Sequence, residues 1–200
     1  MGVVKLSTAG ILDYSKTSNF LSGNAPLSLS AFDLLETTTL STSASTVTLT
    51  GLGAYSDYKH LQIRAVARST RSDTDSYLYY RLNGDSGASY NSHRLVGTGA
   101  SVQSSSYATY PNGILDTAGV PAATAPSNTF GASVIDLLDV FNSSKHTTAK
   151  ILSGHSGSGY ARIALGSGLW RNTASVTSIT IVDVFGDLAQ YSRFSLYGVK

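Results

Sequence analysis

Cysteine is absent from the 200-residue chain. Its absence excludes disulfide bridges, thiolate zinc sites and thiol nucleophiles, and it is typical of a protein made in a reducing cytosol. The chain also has no apolar run of 18 residues, and its first residues lack the apolar core of a signal peptide. We therefore expect neither membrane insertion nor export.

Charged side chains are also scarce, at 13% of the chain against a typical value of about 25%. The formal net charge of +2 gives no concentrated field for a polyanion, so nucleic-acid binding is not expected. Glu36 is the sole glutamate, which disfavours the paired carboxylates of glycoside hydrolysis. Serine and threonine supply about a quarter of the residues, which predicts a hydroxyl-rich, weakly charged surface.

No catalytic or metal-binding motif occurs. His60, His93, His146 and His155 are scattered singly, without a second histidine at metal-ligand spacing, and we predict that they are surface or loop residues. No G-x-S-x-G nucleophile motif is present. We expect no enzyme activity, no metal and no cofactor.

From Phe32 onward, short β-prone runs alternate with Gly, Asn, Asp and Ser, which is the pattern of an all-β domain. Alternation is clearest at Leu61, Ile63 and Ala65, which share one face of a predicted strand. The ten predicted strands are Phe32–Leu40, Thr46–Leu52, Tyr58–Ser69, Ser76–Asn83, His93–Gly97, Phe130–Phe141, His146–Ser153, Tyr160–Leu169, Val176–Val184 and Gln190–Val199.

One of these runs also has a helical spacing, since Val134, Leu138 and Phe141 fall at i, i+4 and i+7. We predict a strand there because all its neighbours are strand-like. The turns Asn83-Gly84 and Gly186-Asp187 are predicted to need positive φ. Residues 97–128 read as one long connection with a brief apolar break.

These features favour an antiparallel two-sheet β-sandwich of jelly-roll type over residues 32–200. Residues 1–31 show no sustained period and read as an extended N-terminal arm. The arm has too many apolar residues for a solvated tail, so we infer that it docks on a surface, either this chain's own sandwich or another protein. Its candidate docking residues are Ile11, Leu12, Tyr14, Phe20 and Leu21.

Two features suggest surface recognition. Arg64 and Arg68 share a parity and could form a basic strip for acidic sugars or phosphates, although such arginines are more often a strand's solvated face. The 12 tyrosines outnumber the 6 phenylalanines, and Tyr107 and Tyr110 lie in the long connection. Tyrosine suits interfaces and carbohydrate stacking, and equally half-buried positions in a sandwich. Trp170 is assigned to the core or a subunit interface rather than to a sugar site.

Several strings resemble a group of small β-rich structural proteins of tailed bacteriophages that infect marine and freshwater bacteria. The resemblance covers nearly the whole chain. Its motifs are structural, so it implies membership of a virion and carries over no catalytic residue. The strings are Val3–Gly10, Ser18–Pro26, Tyr58–Arg64, Arg81–Gly87, Phe130–Asp136, Ser167–Trp170 and Ser192–Val199.

The resemblance implies a chain assembled in the host cytoplasm into a virion, where its partners are copies of itself and other virion proteins. One hypothesis is a tail-fibre type component, expected to be a trimer, that exposes loops 85–92, 97–128 and 154–159 to a host glycan or protein. The second is a capsid cement or decoration protein that bridges shell subunits. The third is a glycan depolymerase, against which the scarcity of acids counts. The tyrosines slightly favour the tail.

Overall fold

The computed structural model describes residues 31–157 and 160–200, and within them the chain is an all-β sandwich. A short 3₁₀ helix, Leu52–Tyr55, lies between two strands. The strands are β1 (Phe32–Thr39), β2 (Thr46–Leu49), β3 (His60–Ala67), β4 (Asp75–Ser76), β5 (Leu78–Leu82), β6 (Tyr90–Gly97), β7 (Val102–Tyr110), β8 (Ile114–Leu115), β9 (Val120–Pro121), β10 (Gly131–Leu138), β11 (Thr147–Gly157), β12 (Tyr160–Trp170), β13 (Ile179–Asp183) and β14 (Arg193–Val199).

The strands form two main antiparallel sheets. The larger sheet has eight strands in the order β1-β14-β3-β10-β11-β12-β6-β7, and the smaller has four in the order β2-β13-β5-β8. Strands β4 and β9 form a separate pair. Apolar side chains from both sheets form one buried cluster, which includes Ile63 and Ile135 from the large sheet and Ile181 from the small one. The core therefore lies between the two sheets.

All ten predicted strands are confirmed, with ends that differ by a few residues. The segment with helical spacing is strand β10, whose alternate residues Ser133, Ile135 and Leu137 are buried. Strand β3 buries Leu61, Ile63 and Ala65 as the alternation predicts.

The prediction of one long connection over residues 97–128 is wrong. This segment contains the nine-residue strand β7, which pairs with β6 at the edge of the large sheet, and the short strands β8 and β9. Residues 113–122 are buried. The predicted recognition loops 85–92 and 154–159 are also partly strand, at Tyr90–Ser92 in β6 and at Gly154–Gly157 in β11.

The two predicted turns have different outcomes. Asn83 and Gly84 both have positive φ, at 53° and 70°, as a tight hairpin turn requires. Gly186 does not have a positive φ, so that prediction is wrong. A Cβ at Gly186 would lie 2.7 Å from the backbone nitrogen of Arg71, so a close approach of two chain segments requires the glycine there.

Large aromatic side chains are part of the core. Trp170 is 1% exposed, which confirms its predicted core position, and its indole N–H donates to Asp85 Oδ2 at 2.8 Å. The Tyr90 hydroxyl donates to the Asp85 carbonyl at 2.9 Å. The prediction of a surface position for His155 is wrong, because its place in strand β11 faces the interior and buries it. Burial, together with the nearby Arg162 charge, lowers the pKa of His155.

Candidate interaction surfaces

Two surfaces of the sandwich have features that suit binding. The first is a pocket of tyrosine and arginine side chains, and the second is an apolar strip on the outer face of the large sheet. The predicted docking arm, with Ile11, Leu12, Tyr14, Phe20 and Leu21, lies outside the described residues.

The first surface, which we call the tyrosine pocket, brings together side chains from four strands and from the residue between β4 and β5. Its volume is about 200 Å³. Tyr107 and Tyr110, both predicted from sequence as recognition residues, lie on β7 and meet Tyr79 on β5 here. The lining residues are Tyr77, Tyr79, Arg94, Tyr107, Tyr110 and Leu115.

The rings of the tyrosine pocket are held against one another. Tyr79 and Tyr110 stack with 5.9 Å between ring centroids, and their hydroxyl groups are hydrogen-bonded at 3.2 Å. The Tyr107 ring is tilted against Tyr110 at 5.2 Å. Burial of Tyr79 and its hydrogen bond to Tyr110 raise the pKa of the Tyr79 hydroxyl well above its usual value. That hydroxyl therefore remains a neutral donor and acceptor at physiological pH.

Arg94 supplies the positive charge of the tyrosine pocket. Its Nη2 donates to the Tyr107 hydroxyl at 3.2 Å, and its guanidinium carbon lies 5.5 Å from the ring centroid of Tyr77 and 5.6 Å from that of Tyr107. Arg162 donates to the hydroxyl of Tyr77 at 3.0 Å and is paired with Asp75. Aromatic faces, hydroxyl groups and a guanidinium are the groups with which proteins bind sugars and carboxylates.

The other two predicted recognition residues have different surroundings. The Arg64 guanidinium lies 4.4 Å from the centroid of the Tyr197 ring, and its Nε donates to Gln62 at 2.8 Å. The Arg68 guanidinium instead donates to main-chain carbonyls of residues 123–129, at 2.8 Å to Pro126 and 2.9 Å to Thr129. The two arginines have no contact residue in common here, so the structure does not bring them together as the predicted basic strip.

The second surface, which we call the apolar strip, crosses the outer face of the large sheet from β3 to β7. Six large apolar side chains in it are between 40% and 72% exposed. A contiguous exposed apolar area of this kind marks an interaction site more often than a free surface. Its exposed members are Val66, Leu95, Val102, Leu152, Ile163 and Leu165, and a shallow groove of about 750 Å³ runs along part of it.

Strand pairing arranges the apolar strip in two rows that run across the strands. The first row is Val134, Leu152, Leu165 and Leu95, each paired with the next across neighbouring strands. The second row is Val66, Ala132, Gly154, Ile163, Gly97 and Val102. The strip therefore has raised positions with large side chains and recessed positions at its glycines and alanine.

The apolar strip results from an inverted pattern on strand β12. Its inward positions 164, 166 and 168 are alanine and glycine, and the segment before β9 packs on the two glycines: an added Cβ at Gly166 would lie 2.3 Å from Thr117, and one at Gly168 2.5 Å from Ile114. The large residues of this strand, Ile163 and Leu165, consequently face outward. The sequence contains a signal for this inversion. Trp170 is buried, and it lies on the same face of the strand as Gly166 and Gly168, whereas Ile163 and Leu165 lie on the opposite face.

Neither a metal cluster nor a membrane-spanning helix occurs in the described part of the chain. Within residues 31–157 and 160–200, the side chains of His, Asp and Glu do not come together in any group of three that could hold a metal ion. Over the same ranges, no helix is long and apolar enough to cross a membrane.

Comparison with known proteins gives no relative for this chain. No protein-family model matches it, and neither does any curated protein or solved structure.

Proposed function

We propose that the chain is a non-enzymatic structural component of a tailed-phage virion that lies at the tail and presents its sandwich to a host surface glycan. The tyrosine pocket is the observation that carries the receptor-facing part of this proposal. The sequence resemblance to phage structural proteins and the scarcity of charge support the virion part.

The tyrosine pocket has the chemistry that sugar binding uses. Its volume of about 200 Å³ fits one substituent or one edge of a sugar ring rather than a whole oligosaccharide. Tyr107 and Tyr110 are partly exposed and offer ring faces, while Arg94 offers guanidinium donors. Because arginine binds carboxylates with two parallel hydrogen bonds, an acidic sugar is the preferred ligand class.

This proposal predicts that the purified chain binds bacterial surface polysaccharides, acidic ones more tightly than neutral ones. Tyr107→Ala and Tyr110→Ala should each weaken binding about fivefold, because each removes a stacking face worth roughly 1 kcal/mol. Binding of a panel of purified neutral and acidic polysaccharides can be measured by biolayer interferometry.

Tyr191→Asn is the matched control, since Tyr191 is 67% exposed outside the tyrosine pocket and its φ of 69° is one that asparagine tolerates. The control should bind as the unmodified chain does. An unmodified chain that binds none of the panel contradicts a glycan-facing role, and release of reducing ends from a bound polysaccharide contradicts the non-enzymatic assignment.

The second candidate function is a capsid cement or decoration protein. The apolar strip is the observation that favours it, because a broad apolar sheet face can lie flat across neighbouring shell subunits. The two placements predict different numbers of copies in a particle: hundreds for a shell protein, and far fewer for a tail protein.

A further inference from the structure

We infer that the apolar strip is a contact between two copies of this chain, packed sheet face against sheet face about a two-fold axis that runs along the strands between β11 and β12. This inference goes beyond the proposed function and is independent of the tyrosine pocket. It gives a two-fold dimer in place of the trimer expected from the tail-fibre hypothesis.

The size of the outer sheet face suits a stable dimer. The six strands from β3 to β7 that this axis brings into contact, about 4.8 Å apart and each about eight residues long, cover an area of roughly 24 by 26 Å, or about 600 Å². Specific protein interfaces bury about 600–1,000 Å² on each partner, so this area reaches the lower end of that range. The apolar strip would form the dry centre of such an interface, and the flanking row with Gln62, Lys150 and Ser167 would form its polar rim.

The centre of the apolar strip fixes the position of the axis. The strip extends from the third to the eighth strand of the sheet, so its midpoint lies between the fifth and sixth strands, β11 and β12. Leu152 and Leu165 are cross-strand partners at this midpoint. A two-fold axis along the strands therefore places Leu152 over Leu165 of the second copy, and the reverse contact is identical.

The second row of the strip is self-complementary about the same axis. Ile163, a raised residue that is 64% exposed, is placed over Gly154 of the second copy, which is a recessed position. Sheets that pack face to face cross at about 30°, which tilts the axis by about 15° from the strand direction and displaces the contacts at the centre of the strip least. The matching of large to small residues is thus strongest where the geometry is best determined.

The charges near the apolar strip are compatible with this arrangement. Strand β10 lies over β6 of the second copy, which places Asp136 over His93 of that copy, groups of opposite sign when the imidazole is protonated. Strand β11 lies over β12 of the second copy, which places Lys150 over the neutral Ser167 of that copy. Neither pairing brings two like charges together, so these charges do not oppose association of the two copies.

A charge-pair experiment tests both the contact and its register. Sedimentation equilibrium of the full chain at tens of micromolar should show a dimer. Leu152→Glu and Leu165→Lys should each raise the dimer dissociation constant at least 100-fold, because each buries an unpaired charge at the axis. Both positions are about half exposed in the single chain, so the fold should tolerate the changes, which circular dichroism can check.

Mixing the two variants is the decisive step. In a mixed dimer, the glutamate introduced at position 152 of one copy meets the lysine introduced at position 165 of the other. The second contact about the axis keeps its two leucines, so the 1:1 mixture should dimerise while each variant alone does not. Tyr191→Asp, at an exposed position outside the apolar strip, is the control and should dimerise like the unmodified chain.

Four results would overturn the inference. An unmodified chain that sediments as a monomer or a trimer excludes the two-fold contact. A dimer that resists both substitutions forms through another surface. A mixture that stays monomeric excludes this register. A photo-crosslinker at position 152 that captures residues 1–30 instead of the second copy's β12 excludes the contact between copies.

Discussion

Asp116 shows how a single buried residue makes stability depend on pH. It is fully buried beside Ser133 and Ser153, and burial raises the pKa of its carboxyl to about 6, which these hydroxyl groups only partly offset. The pKa of the folded state is therefore higher than that of the unfolded state. The folded chain holds the proton more tightly, so this contribution to stability is complete below about pH 4 and is lost as the pH rises through about 6.

We expect Asp116→Asn to remove this dependence. Relative to the unmodified chain, the variant should gain roughly 3 kcal/mol of unfolding free energy between pH 3.5 and pH 8, because a shift of about two pKa units is worth that much. Urea unfolding at both pH values measures it. Asp57→Asn, at an exposed site, controls for the loss of one negative charge. If the unfolding free energies of Asp116→Asn and the unmodified chain change equally between the two pH values, Asp116 is not the source of the pH dependence.

At the scale of elements, the Arg68 side chain stabilises the connection between β9 and β10 through hydrogen bonds to its main chain. Its guanidinium donates to the carbonyls of Ala125, Pro126 and Thr129 at 2.8–2.9 Å. These carbonyls lie in a segment without a strand of its own, so the arginine supplies hydrogen bonds that a neighbouring strand would otherwise provide. Arginine suits this task because its donors form a rigid planar fork, which lysine lacks.

Arg68→Lys should therefore loosen this connection. We expect a loss of about 1–3 kcal/mol in unfolding free energy, and faster hydrogen exchange at the amides of Ala125 and Thr129. Exchange measured by NMR distinguishes this local effect from general destabilisation. Arg193→Lys, at an exposed position on β14, is the matched control. Unchanged exchange at both amides in Arg68→Lys would show that the arginine does not hold the segment.

The strands could be predicted from sequence because their signals are local. Alternation in β3 and the Asn83-Gly84 turn each report on a few neighbouring residues. Strand β7 was missed because it is an exposed edge strand of mostly small polar residues, whose hydrogen bonds to β6 define it more than its side chains do. Strand order depends on distant pairings such as β1 with β14, which no local pattern encodes.

The candidate surfaces were predictable only in part. Tyr107 and Tyr110 were identified from their residue type, but their neighbours Tyr79 and Arg94 come from other strands, and the fold alone brings them together. Arg68 has the same residue type as a recognition arginine, and only its contacts show that it binds the chain's own backbone. Residue type suggests a role, and the surroundings decide it.

At the scale of the whole molecule, the two surfaces face opposite sides of the same strand pair. Arg94 and Tyr107 point inward from β6 and β7, whereas Leu95 and Val102 point outward from them. A dimer formed through the apolar strip would therefore leave the tyrosine pocket uncovered. Two pockets on one dimer would strengthen attachment to a repeating glycan by avidity.

The central claim is that this chain is part of a phage particle and lies at its tail. Quantitative mass spectrometry of purified particles, with isotope-labelled peptides of this chain and of the major shell protein, measures the number of copies directly. We predict that the chain is present at a few to some tens of copies per particle. Absence from the purified particle would contradict the claim altogether, and hundreds of copies would contradict the tail placement in favour of the shell.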